Sequence, residues 1–102
     1  MSQRLPDDQI DRGLTALPGW QRAGDVITGN YTMPTFPVAI ALVERVAELA
    51  EAADHHPDID IRWRRVTFTL TTHDAGGLTA MDLELAAGIH AAALALGWGA
   101  PG

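Results

Sequence analysis

Three of the chain's four histidines stand close together: the pair His55-His56, followed by Pro57-Asp58, and His73 within Thr72-His73-Asp74. Imidazole ordinarily titrates near neutrality, so it can give and take protons at physiological pH, and it is also a common metal ligand. Glu51, Asp54, Asp58 and Asp74 flank the three rings. Three imidazoles can hold zinc with one position open. Yet neighbours such as His55 and His56 do not naturally aim at one ion, and the chain has neither a His-Glu-x-x-His run nor a cysteine. His55 could instead sit at a helix C-terminus, where a cationic ring meets the helix dipole. For three rings set among carboxylates, proton transfer without a metal is the most economical reading. Asp82 has two roles open to it: closing a capping box, or orienting a catalytic imidazole. His90 lies in an alanine-rich run with no acidic cluster nearby and reads as structural.

The elements that must position these side chains follow from periodicity. Ile10, Leu14 and Leu17 share one face of a short helix, with Asp7 and Asp8 at its start and Pro18-Gly19 at its end. Two strand-like runs come next, Trp20 to Ala23 and Val26 to Met33, turned at Gly24-Asp25, with Gly29-Asn30 as a bulge or alternative turn. Thr35 suits an N-cap and Pro37 the first turn of a helix. That helix runs to the His55-His56-Pro57 corner, its apolar face marked by Val38, Leu42, Val46, Leu49 and Ala53, with Val43 and Ala50 beside it. Pro57 disfavours helical backbone at His56. Ile59 and Ile61 alternate with charged residues as a half-buried strand, and Val66, Phe68 and Leu70 alternate with threonines as another. Parity extended past Leu70 puts His73 on the threonine side. Thr79 to Asp82 matches a capping box, opening a helix that ends near Leu96-Gly97, and residues 98–102 read as a loose tail. The order α-β-β-α-β-β-α predicts an α+β fold in two layers, a four-stranded antiparallel sheet with helices on one face. Unpaired sheet edges favour self-association.

Composition bounds the partners. A length of 102 residues suits one domain, residues 1–102, and 47% hydrophobic with 20% charged residues is ordinary for a globular protein. A formal charge of -6 argues against nucleic acid, which needs clustered positive charge; Arg62-Trp63-Arg64-Arg65 is too short to reverse that. With no cysteine, disulfides and thiolate zinc sites are out of reach. No apolar run is long enough to cross a membrane, and Met1 to Asp8 carries no apolar signal core. A cytoplasmic setting is the expectation.

Glu51-Ala52-Ala53-Asp54-His55-His56-Pro57-Asp58, Val66 through Leu70, Thr72-His73 and Gly77-Leu78-Thr79-x-x-Asp82 together resemble the pterin-4a-carbinolamine dehydratase family, and Gly19-Trp20 after a short helix fits as well. The resemblance covers nearly the whole chain. It implies sheets extended across a homodimer, often within a homotetramer, and a 4a-hydroxytetrahydropterin substrate that loses water to give the quinonoid dihydropterin, without cofactor or metal. It implies that His55 and His73 are the acid–base residues and that His56 helps hold the pterin. Pro57 and Thr72 would join His56 in binding, and Glu51 and Asp82 would orient the rings. Ile59 stands where some members carry tryptophan, and Trp63 where tyrosine is frequent. Loss of an aromatic wall at Ile59 bears on pterin affinity more than on catalysis. The rival from a different class is a non-catalytic dimerisation or regulatory module of the same fold, with the helix from Thr35 to Ala53 as a candidate interface.

Overall fold

Alternating β-branched and aromatic residues commit the middle of the chain to strands, and the computed structural model, which describes residues 3–99, shows how they pair. The elements are α1 (Asp7–Thr15), β1 (Trp20–Ala23), β2 (Val26–Thr32), α2 (Phe36–Ala53), β3 (Asp58–Arg62), β4 (Arg65–Leu70) and α3 (Ala80–Ala95), with a short 3₁₀ turn at His73–Ala75. This is the α-β-β-α-β-β-α order expected. The four strands form one antiparallel sheet in the order β1-β2-β4-β3, an α+β arrangement. No helix among the described residues is long and apolar enough to cross a membrane.

Burial follows the alternation in β4, where Val66, Phe68 and Leu70 are enclosed beneath the helices with Ile27 and Tyr31 of β2. The same parity does not carry to His73, because the strand stops at Leu70 and the chain coils into the 3₁₀ turn. Thr35 caps α2 by accepting from the Val38 N–H at 3.2 Å, and Pro37 sits in the first turn as expected.

Four local expectations are corrected. Gly29-Asn30 is neither bulge nor turn: β2 runs straight through, with Gly29 opposite Trp20 on one side and Phe68 on the other. A glycine stands there because the Trp20 ring lies over it, where any Cβ would collide. The buried face of α2 is Ala39, Leu42, Val46 and Ala50, rotated from the predicted stripe, since the small alanines allow close approach of backbones while Leu49 and Ala53 border a groove toward α3. Ile59 and Ile61 lie opposite Phe68 and Val66, hence on the helix side of the sheet, yet they are 37% and 40% exposed. β3 is an edge strand that the helical layer does not reach, so its apolar face is left open. Finally, Trp98 is not part of a loose tail: it is buried, edge-on to Tyr31 at 5.2 Å between centroids. Residues 100–102 of that tail lie outside the described residues.

Candidate active site

The two adjacent histidines are driven apart by the way α2 ends. Asp54 takes the left-handed conformation (φ 49°, ψ 45°), which aspartate tolerates better than most residues. Its N–H reaches the Ala50 and Glu51 carbonyls, and the His55 N–H donates to the Ala50 carbonyl at 3.0 Å. The corner then sends His55 inward, where it is 9% exposed, and leaves His56 outside. His56 Nε2 pairs with Glu51 one turn back on α2, both largely in solvent.

A second corner faces the first. Thr72 and Gly77 exchange backbone hydrogen bonds of 3.3 Å, which closes a small loop around the His73–Ala75 turn. Gly76 completes it at φ 71°, a backbone position that favours glycine. This loop presents His73, exposed and without a side-chain hydrogen bond among the described residues.

Asp82 joins the two corners. It is fully buried in the first turn of α3. Oδ2 accepts from the Thr79 N–H at 2.9 Å and from the Thr72 hydroxyl at 2.7 Å, while Oδ1 meets His55 Nε2 at 2.6 Å. The capping box and the imidazole contact, posed as alternatives by the sequence, are both present. Thr79 and Thr72 are themselves linked at 2.9 Å between hydroxyl oxygens.

The tautomer of His55 follows from this partner. A carboxylate accepts and does not donate, so Nε2 carries the hydrogen and the lone pair of the neutral ring sits on Nδ1. Nδ1 has no hydrogen bond among the described residues. Since no unpartnered side-chain nitrogen or oxygen is buried there, Nδ1 keeps some contact with solvent. His55, His56, Thr72 and His73 together line a cleft of about 610 Å³. Asp54, Thr71, Asp74, Ala75 and Met81 complete the wall. Among the described residues no group of three His, Asp or Glu side chains is placed to hold a metal ion.

Of the residues singled out in the sequence, His55, His56, Thr72 and His73 therefore meet at one cleft. Pro57 shapes the corner but does not reach the wall, Glu51 stands behind His56, and Asp82 lies beneath His55. Ile59, the departure from an aromatic residue, is not on the wall either. Sequence reasoning missed Met81 and the hydroxyl link from Thr79 to Thr72. Met81 could have been found from its place just inside the capped end of α3, but the hydroxyl link is visible only once the chain is folded.

Residues 3–92 match the family described as Pterin 4 alpha carbinolamine dehydratase. A relative from Nocardia farcinica, provisionally named a pterin-4-alpha-carbinolamine dehydratase, is 60% identical over 85 residues, covering 83% of this chain and 90% of its own. A relative from a Roseiflexus species with the same provisional name is 59% identical over 86 residues, covering 84% and 92%. The crystal structure of a protein from Brucella melitensis, described as a transcriptional coactivator/pterin dehydratase, superposes with a TM-score of 0.85 at 33% identity. It covers 89% of this chain and 99% of that one.

Proposed function

Because the chain belongs to the pterin 4 alpha carbinolamine dehydratase family, we propose that it removes water from a 4a-hydroxytetrahydropterin to give the quinonoid dihydropterin. On this reading residues 1–102 act as one domain in the cytoplasm and support tetrahydropterin recycling. The observation that carries it is the meeting of His55 and His73 on the wall of one cleft, with the Asp82 carboxylate on His55 Nε2.

The chemistry needs two proton transfers and no electron transfer. The C4a–O bond breaks and its electrons leave with the oxygen, which must be protonated to depart as water. The neighbouring ring nitrogen uses its lone pair to form the new C=N bond and gives up its proton. Asp82 stabilises the imidazolium formed when Nδ1 takes that proton, so His55 is assigned the base. His73, solvated at the cleft rim, is assigned the acid. After turnover the two rings have exchanged protonation states, and solvent resets them. His56 and Pro57 contribute to the binding corner, with Glu51 orienting His56 and the Thr72 hydroxyl committed to Asp82.

The test is dehydration of chemically generated carbinolamine by His55→Ala and His73→Ala. General acid–base catalysis is typically worth about 10²–10⁴-fold, so each variant should lose turnover on that scale while keeping its fold. Unchanged turnover in both would overturn the assignment.

One observation favours a second reading, a non-catalytic dimerisation or regulatory module. The uncovered edge of β3, with Ile59 and Ile61 open, is a surface suited to a second copy of the chain as a homodimer or homotetramer. Retained self-association with no dehydration of the carbinolamine would decide for the module. Turnover would decide for the enzyme.

A further inference from the structure

We propose that Thr72 is a positioning residue: with the Thr79 N–H it holds Asp82 Oδ2, so that Oδ1 stays on His55 Nε2 and the ring is fixed in place. The kinetic part of this inference rests on the dehydratase reading, whereas the part concerning the His55–Asp82 contact does not.

The argument is a count of hydrogens. Thr72 Oγ1 lies 2.7 Å from Asp82 Oδ2 and 2.9 Å from Thr79 Oγ1. A hydroxyl has one hydrogen, and a carboxylate can only accept, so the Thr72 hydrogen is committed to Asp82. The contact between the two threonines must then be donated by Thr79. The Thr79 oxygen in turn accepts from the Met81 N–H at 3.2 Å. The hydrogen bonds therefore run in one direction, from the Met81 N–H through Thr79 and Thr72 to Asp82. The Thr79 N–H adds a second donor to Oδ2 at 2.9 Å.

Two consequences follow. Thr72 lines the cleft, yet its only hydrogen is already used, so it cannot donate one to a substrate without releasing Asp82. With two donors fixed on Oδ2, the other oxygen, Oδ1, is the one presented to His55, at 2.6 Å. Asp82 and Thr79 are fully buried, so water does not compete for these directions. His55 is thus held with its Nε2–H on Oδ1 and its Nδ1 lone pair unused, the state a base requires.

The experiment compares the wild type with Thr72→Val, which keeps the branched shape without the hydroxyl, and Thr72→Ser, which keeps the hydroxyl. Imidazole ¹⁵N NMR of the free protein should show His55 protonated on Nε2 alone in the wild type. Thr72→Val should shift the His55 Nε2 and Nε2–H resonances as the Asp82 contact loosens, with the hydrogen still on Nε2, and Thr72→Ser should restore the wild-type pattern. On the carbinolamine, kcat of Thr72→Val should fall between roughly 10- and 100-fold, the scale of a misplaced reacting group, with KM held within about 2-fold and kcat of Thr72→Ser within about 3-fold. A wild-type His55 protonated on Nδ1, or His55 shifts unchanged in folded Thr72→Val, would overturn the proposal. So would a raised KM at constant kcat, which would make Thr72 a substrate contact. If the wild type shows no turnover, the dehydratase reading fails and the NMR comparison alone decides. If Thr72→Val does not fold, Thr72→Ala supplies the same readouts.

Discussion

The molecule holds two histidines against buried partners, and only one of them is free to work. His55 Nε2 meets the Asp82 carboxylate at 2.6 Å, while His90 Nδ1 meets the Tyr31 hydroxyl at 2.9 Å. Asp82 and Tyr31 are both fully enclosed. Asp82 can only accept, so His55 spends its N–H and keeps its lone pair. Tyr31 already accepts from Trp20 Nε1 at 2.6 Å, and its buried O–H needs an acceptor, which His90 Nδ1 provides. His90 therefore spends its lone pair and keeps its N–H. Trp98 packs edge-on against His90 at 5.3 Å and closes that end of the core. A histidine's capacity as a base is set by what its partner leaves over, more than by burial or by the presence of a hydrogen bond.

The sharpest way to break this comparison is to remove each ring in turn. His55→Ala should cost turnover about 10²–10⁴-fold, as loss of a general base does. His90→Ala should leave turnover within a few-fold and lower stability by about 1–3 kcal/mol, because the buried Tyr31 hydroxyl loses its acceptor. Denaturant unfolding beside the dehydration assay separates the two. Equal losses of activity would dissolve the contrast between the poles.

Asp82→Asn asks whether the carboxylate itself, rather than its shape, makes the difference. An asparagine whose amide oxygen keeps the Thr79 N–H and the Thr72 hydroxyl must turn its NH₂ toward His55. Nε2 then has to accept, the hydrogen moves to Nδ1, and the base at the cleft is lost. Turnover should fall about 10²-fold in a protein that still folds, and ¹⁵N shifts of His55 should show the reversed tautomer. Wild-type turnover with a reversed tautomer would remove Nδ1 from the mechanism.

The strand pattern and the caps at Thr35 and Thr79 were legible in the sequence because each is set by neighbours a few residues away. So was the gathering of His55, His56 and His73, which the family resemblance organised around a single pocket. What could not be read depends on contacts between distant segments. That Asp82 would orient an imidazole was one of the two roles read for it in the sequence, but that the ring is His55 follows from α3 starting beside the end of α2, not from any local signal. Gly29 reads as a break until Trp20 is seen over it, and Trp98 reads as tail until it closes on Tyr31 and His90. Ile59 and Ile61 alternate as an inward face should, and they do face inward. Their exposure comes from the reach of the helices, which alternation does not encode.

A smaller effect sharpens the His90 pole. Burial pushes the Tyr31 hydroxyl up to about 12 from its ordinary 10. Because the folded value is the higher one, the neutral phenol's contribution is whole below pH 10 and is lost as pH rises toward 12. Two units correspond to about 2–3 kcal/mol at most. The chain has one tyrosine, no cysteine and no lysine, so no other side chain ordinarily titrates in that window. Denaturation midpoints should fall over pH 10–12 in the wild type and stay flatter in Tyr31→Phe, whose stability is lower at neutral pH by the lost hydroxyl bonds. Parallel slopes would mean that Tyr31 is not held neutral by the fold.

The smallest effect tests whether an exposed histidine–carboxylate pair behaves like the buried one. Glu51 and His56 make the same chemical pairing as Asp82 and His55, but their side chains are 77% and 59% exposed. Water already solvates both groups, so a pair of this kind contributes about 0–1 kcal/mol. Glu51→Gln should leave the denaturation midpoint nearly unchanged and should not alter kcat, since neither group sits behind the reacting nitrogen. If His56 holds the pterin, its freer ring should raise KM by about 2–5-fold, the signature of lost ground-state binding. A fall in kcat comparable to that of Asp82→Asn would place His56 among the proton-transfer groups and end the division between an inner ring that moves protons and an outer ring that holds substrate.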